Sequence, residues 1–163
     1  MSKPAIISII GKSGSGKTTL IERLVPAIKQ KGYRIGVIKH SSHHIVLDHP
    51  QKDSWRFQQS GADCVAACSS KHFVLFQPIS TDMSLSEIAS HYFFDCDILL
   101  TEGFKKENSP KIVIIPSLSD ISILDAVTHT IAIISNEPFT DAYPHFLPND
   151  IKAIVQFIEG HIL

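Results

Sequence analysis

The run Gly11-Lys12-Ser13-Gly14-Ser15-Gly16-Lys17-Thr18 fills every fixed position of the phosphate-binding pattern G-x-x-x-x-G-K-[ST]. An apolar run, Ala5-Ile6-Ile7-Ser8-Ile9-Ile10, precedes it, and Thr19-Leu20-Ile21-Glu22-Arg23-Leu24 follows with helical apolar spacing. Strand, glycine-rich turn and helix is the setting in which this pattern forms a site. Glycines let backbone N–H groups converge on phosphate oxygens, where a Cβ would block close approach or left-handed dihedrals. Lys17 supplies a point charge to the β- and γ-phosphates, the Thr18 hydroxyl is a ligand for Mg²⁺, and the helix N-terminus adds partial positive charge. The expected nucleotide site is Gly11, Lys12, Ser13, Gly14, Ser15, Gly16, Lys17, Thr18 and Thr19.

The rest of the chain reads as supports for that loop. The first helix runs through Leu24, Val25 and Ile28 to Lys31-Gly32, where glycine is the expected cap, and Pro26 is expected to kink it. Residues 34–39 form a second strand ending at His40, so a βαβ unit brings two carboxyl ends to one edge beside the loop. Residues 64–68 and 73–76 suggest an antiparallel hairpin appended to the parallel sheet, with Cys64 and Cys68 as small core residues. A helix is expected within 85–93, and a helix capped by Asp53 or Ser54 ends at Gly61. Asp97-Ile98-Leu99-Leu100-Thr101-Glu102-Gly103 fits a strand buried on both faces. It delivers Glu102 to the edge where phosphate-loop proteins keep a second magnesium-side acid, which makes Glu102 the expected catalytic and metal-side carboxylate with Thr18. Strands at 111–115 and 130–135 and a closing helix from 149 or 150 to 162 complete an α/β, P-loop NTPase-like three-layer fold. Its sheet is mostly parallel, of about seven strands.

Length and charge bound the class. The 163 residues, 44% of them hydrophobic, suit a single nucleotide-binding domain over 1–163. A formal charge of −1 with scattered basic residues argues against nucleic-acid binding. The N-terminal apolar run is far short of the roughly 18 residues that span a bilayer, so a cytoplasmic protein without membrane contact is expected. Between the second strand and residue 53, His40, His43, His44, Asp48 and Asp53 form a polar loop beside the phosphate site. Imidazole and carboxylate there suit a divalent metal, phosphate contact or a second ligand, and a merely solvated loop is the alternative.

Several of these stretches together resemble the MobB family of molybdopterin-guanine dinucleotide biosynthesis adaptors. They are the phosphate loop running on into Thr19-Leu20, Lys39-His40 with His43 behind it, Asp48-x-Pro50-x-Lys52-Asp53-Ser54, Gly61-Ala62, and Glu102-Gly103-Phe104-Lys105. The resemblance spans nearly the whole chain. It implies a GTP- and Mg²⁺-binding homodimer with weak GTP hydrolysis that assists the MobA nucleotidyltransferase in joining GMP to molybdopterin. The chain departs from the family at Ser42, where a histidine is usual, and at Gln51, where a glycine is common. Rival expectations are a small-molecule P-loop kinase, with Asp53 or His40 activating a hydroxyl, and a metal-delivering GTPase using His40, His43 and His44. Lys12 sits where some phosphate-loop dimers place a lysine that reaches the partner's nucleotide, with a solvated lysine as the alternative. Ser135-Asn136-Glu137-Pro138 follows the last strand where a base could be read. No Asn-Lys-x-Asp guanine motif is present in the sequence.

Overall fold

A computed structural model describes residues 3–41, 49–79, 83–138 and 142–162. The chain divides into two compact units, one built from the segments up to His40 and from Ser84 onward, the other from Ser41 to Met83.

The first unit is a parallel sheet of six strands: β1 (Ala5–Ile10), β2 (Ile35–Lys39), β5 (Ile98–Glu102), β6 (Lys111–Ile114), β7 (Thr130–Ile134) and β8 (His145–Phe146). Their spatial order is β2-β5-β1-β6-β7-β8, and every pairing is parallel. Alternate side chains sort to the two faces, as strand geometry requires. Ile7, Ile9, Ile98, Leu100, Ile112, Ile114 and Ile134 cluster with residues of α1 (Lys17–Gln30) and α4 (Ile151–Ile162). On the opposite face Leu99 packs with Leu85 and Ala89 of α3 (Leu85–Tyr92), while Ile10, Val113 and Ile133 pack with Ile123 of a 3-10 helix over Leu118–Ala126. Helices on both faces of a parallel sheet make the three layers expected from the sequence.

Local chemistry sets the helix ends. Gly32 closes α1 with φ +93°, its N–H bonded to the Lys29 carbonyl. Pro26 lies inside the continuous α1. At α3, Ser84 Oγ accepts from the Glu87 N–H while the Glu87 carboxylate accepts from the Ser84 N–H, a reciprocal box that satisfies two free donors.

The second unit contains α2 (Asp53–Gln59) and a hairpin of β3 (Val65–Cys68) and β4 (Phe73–Phe76). The antiparallel hairpin expected from the sequence is present, and among the described residues it forms a two-stranded sheet of its own. Two other expectations are corrected. Cys64 and Cys68 are exposed, because both faces of so small a sheet stay largely uncovered. The cap of α2 is Lys52, which lends no side-chain hydrogen bond, so neither Asp53 nor Ser54 plays that part. In the first unit β1 and β2 run parallel with their carboxyl ends on one edge, as expected, and β5 lies between them.

Candidate nucleotide-binding site

The strand order builds the site. In register, Ile9 of β1 lies opposite Glu102 of β5, and Glu102 opposite Lys39 of β2. Partners in a parallel pair face the same way, so Glu102 and Lys39 end on the sheet face that carries α1, one step below the phosphate loop.

The loop itself is held by close packing. A Cβ on Gly11 would collide with Ser15 Oγ and stand 3.2 Å from the Ile114 carbonyl oxygen, so only glycine fits. Gly14 and Gly16 adopt φ of +75° and +91°, and nothing lies within 4 Å of where their Cβ atoms would be. The open side of the loop is therefore a cradle free of side-chain atoms, the shape that amide donors need to approach a phosphate. Lys17 Nζ folds over the loop, donating to the Gly11 carbonyl at 3.1 Å and the Lys12 carbonyl at 2.7 Å. An ammonium has three donors, so one remains for a phosphate oxygen.

At the start of α1, Thr18 Oγ1 donates to Glu102 Oε2 at 2.8 Å. The other carboxylate oxygen, Oε1, lies 3.4 Å from Lys39 Nζ. A hydroxyl and a carboxylate converging beside a phosphate cradle are hard oxygen donors of the kind Mg²⁺ takes. Two cavities meet at Lys17. One of about 360 Å³ is lined by residues 13, 14 and 16–19 of the loop together with Lys39 and Glu102. The other, about 340 Å³, lies between Gly11, Lys12, Gly103, Lys105, Ser122 and Ile123. When bound in the first, Mg²⁺ would supply charge neutralisation between phosphate oxygens. The residues on hand fit that group: Thr18 and Glu102 for the metal, Lys17 and the glycine amides for the phosphates.

The backbone after Glu102 turns sharply, with Gly103 at φ +96° and Phe104 at φ +59°. A left-handed phenylalanine is unusual, and its ring is held against His40, centroid to centroid 4.9 Å. The His40 N–H also donates to the Glu102 carbonyl at 2.9 Å. His40 thus packs against the turn that carries Glu102.

Other expected site residues fall differently. Lys12 is paired, its Nζ 2.6 Å from Asp120 of the 3-10 helix, where the sequence left it solvated or reaching across a dimer. Asp53 belongs to the second unit and pairs with Arg56 at 3.7 Å. His43, His44 and Asp48 lie outside the described residues. Among the described residues no group of three His, Cys, Asp or Glu side chains can hold a metal ion. Ser135 Oγ accepts from the Glu137 N–H at 3.1 Å, and the Glu137 carboxylate accepts from the Leu118 N–H at 3.4 Å, so these two side chains are used locally, while Asn136 between them is exposed.

Sequence reasoning missed Lys39 as a site residue and Asp120 as the partner of Lys12. Lys39-His40 was visible as a motif, but its register with Glu102 depends on β5 lying beside β2, which no local pattern encodes.

Residues 6–136 match the family model described as molybdopterin guanine dinucleotide synthesis protein B. The chain is 33% identical over 158 residues to a molybdopterin-guanine dinucleotide biosynthesis adapter protein of Haemophilus influenzae, covering 95% of this chain and 88% of that one. Among solved structures, Bacillus subtilis MobB superposes with a TM-score of 0.80 at 31% identity, covering 96% of each chain. Helicobacter pylori HypB, solved in complex with nickel, is similar in fold alone: 17% identity, TM-score 0.57, covering 98% of this chain and 87% of that one. With a family model matched over most of its length and relatives spanning nearly all of it, the chain belongs to the MobB family of molybdopterin-guanine dinucleotide synthesis proteins.

Proposed function

We propose that this protein is a nucleotide-binding adaptor of molybdopterin-guanine dinucleotide synthesis that takes GTP with Mg²⁺ in its phosphate loop and assists the MobA nucleotidyltransferase in joining GMP to molybdopterin. The observation that carries the nucleotide part is the contact of Thr18 Oγ1 with Glu102 at the mouth of an open glycine cradle. Family membership carries the adaptor part.

The same geometry argues for slow hydrolysis. Phosphate-loop proteins turn over fast when an arginine meets the charge of the transition state. The chain has three arginines. Arg23 donates to Asn149 Oδ1 at 2.8 Å, Arg34 pairs with Asp95 at 3.0 Å, and Arg56 pairs with Asp53. A homodimer in the cytoplasm completes the reading. The hairpin supports it: Phe73, Val74 and Leu75 lie exposed on β4, and apolar residues clustered so tightly on a two-stranded sheet favour a covering partner. No helix among the described residues is long and apolar enough to cross a membrane.

Calorimetric titration of the purified protein with GTP and ATP, each with and without Mg²⁺, tests the nucleotide part. Saturable one-to-one GTP binding strengthened by Mg²⁺ is expected. Preference for ATP, or no binding of either, would overturn it.

A further inference from the structure

We propose that Lys39 is a triphosphate-sensing residue: with Mg²⁺ and a nucleoside triphosphate bound, it leaves Glu102 for the γ-phosphate. This inference rests on the nucleotide reading above. Lys39 ends β2 in register with Glu102, so its stem rises on the face that carries α1. It lines the same cavity as Lys17, Thr18 and Glu102.

Glu102 is the pivot. Its carboxylate is only 13% exposed, and its two oxygens are divided between the Thr18 hydroxyl at 2.8 Å and the Lys39 ammonium at 3.4 Å. Without a cation, Lys39 is the positive charge that offsets this half-sheltered carboxylate. A divalent ion held by Thr18 and Glu102 supplies that charge instead and repels the ammonium. Lys39 is 66% exposed on a flexible four-carbon stem, so the ion pair holds it loosely and little packing resists its departure. The terminal phosphate concentrates negative charge in the same cavity, and a charge-assisted hydrogen bond there outweighs a weakened pair at the rim. A diphosphate has no γ-phosphate to offer. Lys39 then stays at the rim, and the site registers the difference between the two nucleotides without an arginine.

The test measures GTP and GDP affinities at saturating Mg²⁺ for the full chain, wild type, Lys39→Met and Lys39→Arg, with thermal melts to check folding. Because Lys39 is exposed, Lys39→Met should fold like wild type. Its GTP affinity should fall roughly ten-fold and its GDP affinity less than about two-fold, with much of the loss restored in Lys39→Arg. Without Mg²⁺, the wild-type preference for GTP over GDP should shrink toward that of Lys39→Met. Equal losses for both nucleotides, or no loss for GTP, would overturn the role of Lys39 while leaving the nucleotide reading intact. Failure of the wild type to bind either nucleotide would remove both.

Discussion

Gln51 carries φ +80° in a position where the family commonly has glycine, so the side chain is held in a region that costs an L-residue roughly 1–2 kcal/mol. Glycine adopts this dihedral freely but loses more entropy on folding, which offsets about 0.5–1 kcal/mol. Gln51→Gly should therefore stabilise the second unit by on the order of 0.5–1 kcal/mol, read by urea denaturation with a fluorescence signal from Trp55. A destabilised variant would mean that Gln51 makes contacts worth more than its strain. Glu102 tests the other kind of single residue, one kept for chemistry. Glu102→Gln preserves the volume and can still accept from Thr18, but it loses the charge that faces Lys39 and Mg²⁺. The variant should fold and keep much of its nucleotide affinity, losing part of the strengthening by Mg²⁺, while Mg²⁺-dependent GTP hydrolysis drops. Single-turnover hydrolysis at saturating Mg²⁺ measures it, and an unchanged rate would return Glu102 to a structural role.

Among the elements, the segment from Gly103 to Pro110 between β5 and β6 is fastened at its start by Phe104 on the apolar cluster of Leu85, Ala89 and Leu99, and toward its end by buried polar groups. Lys111 is fully buried, its ammonium donating to the carbonyls of Glu107 and Ser109. Beside it Thr101 Oγ1 donates to Ser8 Oγ at 2.9 Å, and Ser8 and Ser109 hydroxyls meet at 2.7 Å. Burial pushes the Lys111 pKa down, with the charge of Glu107 acting in the other direction. The unfolded chain keeps this proton up to about pH 10.4, so between the depressed folded value and that limit the unfolded state binds more protons. Stability contributed through Lys111 therefore rises with pH across that window, and below it the cost of burying the charge is fully present. Lys111→Met removes the titration. The wild type should gain stability relative to Lys111→Met as the solution is taken from neutrality into the alkaline window, and parallel urea-melt curves at every pH would contradict a desolvated ammonium. In sequence this lysine only marks the start of a strand. Its burial follows from the loop folding over it, which involves Glu107 and Ser109 through their backbone carbonyls and so leaves no side-chain pattern to read.

Over the whole molecule, what was legible had a local cause. Gly11 to Thr18 with its flanking strand and helix could be read because dihedrals, periodicity and motif all act within a few residues. Glu102 was found because a continuous apolar run ending in an acid points to a buried strand delivering it to an edge. Strand order was not legible, since β5 enters between β1 and β2 after some sixty residues of intervening chain and no short pattern announces it. β8, two residues long, is too short for periodicity to mark, and the 3-10 helix that supplies Asp120 turns every three residues and so carries no 3.6-residue apolar pattern. The exposed cysteines misled for a related reason: their run is apolar, but burial depends on what covers a sheet, and of the residues in β3 and β4 only Val65 is buried.

In the function proposed above, nucleotide bound at Lys17, Thr18 and Glu102 is what lets this protein assist molybdopterin guanylation. The direct measurement is the rate at which MobA joins GMP to molybdopterin, alone, with the wild-type protein, and with Lys17→Ala. Removing the ammonium that folds over the loop should weaken triphosphate binding about ten- to a hundred-fold. The wild type should raise the MobA rate, and Lys17→Ala, at GTP concentrations below its raised Kd, should not. Full assistance from Lys17→Ala under those conditions, or fast phosphoryl transfer to an acceptor by this protein without MobA, would contradict it.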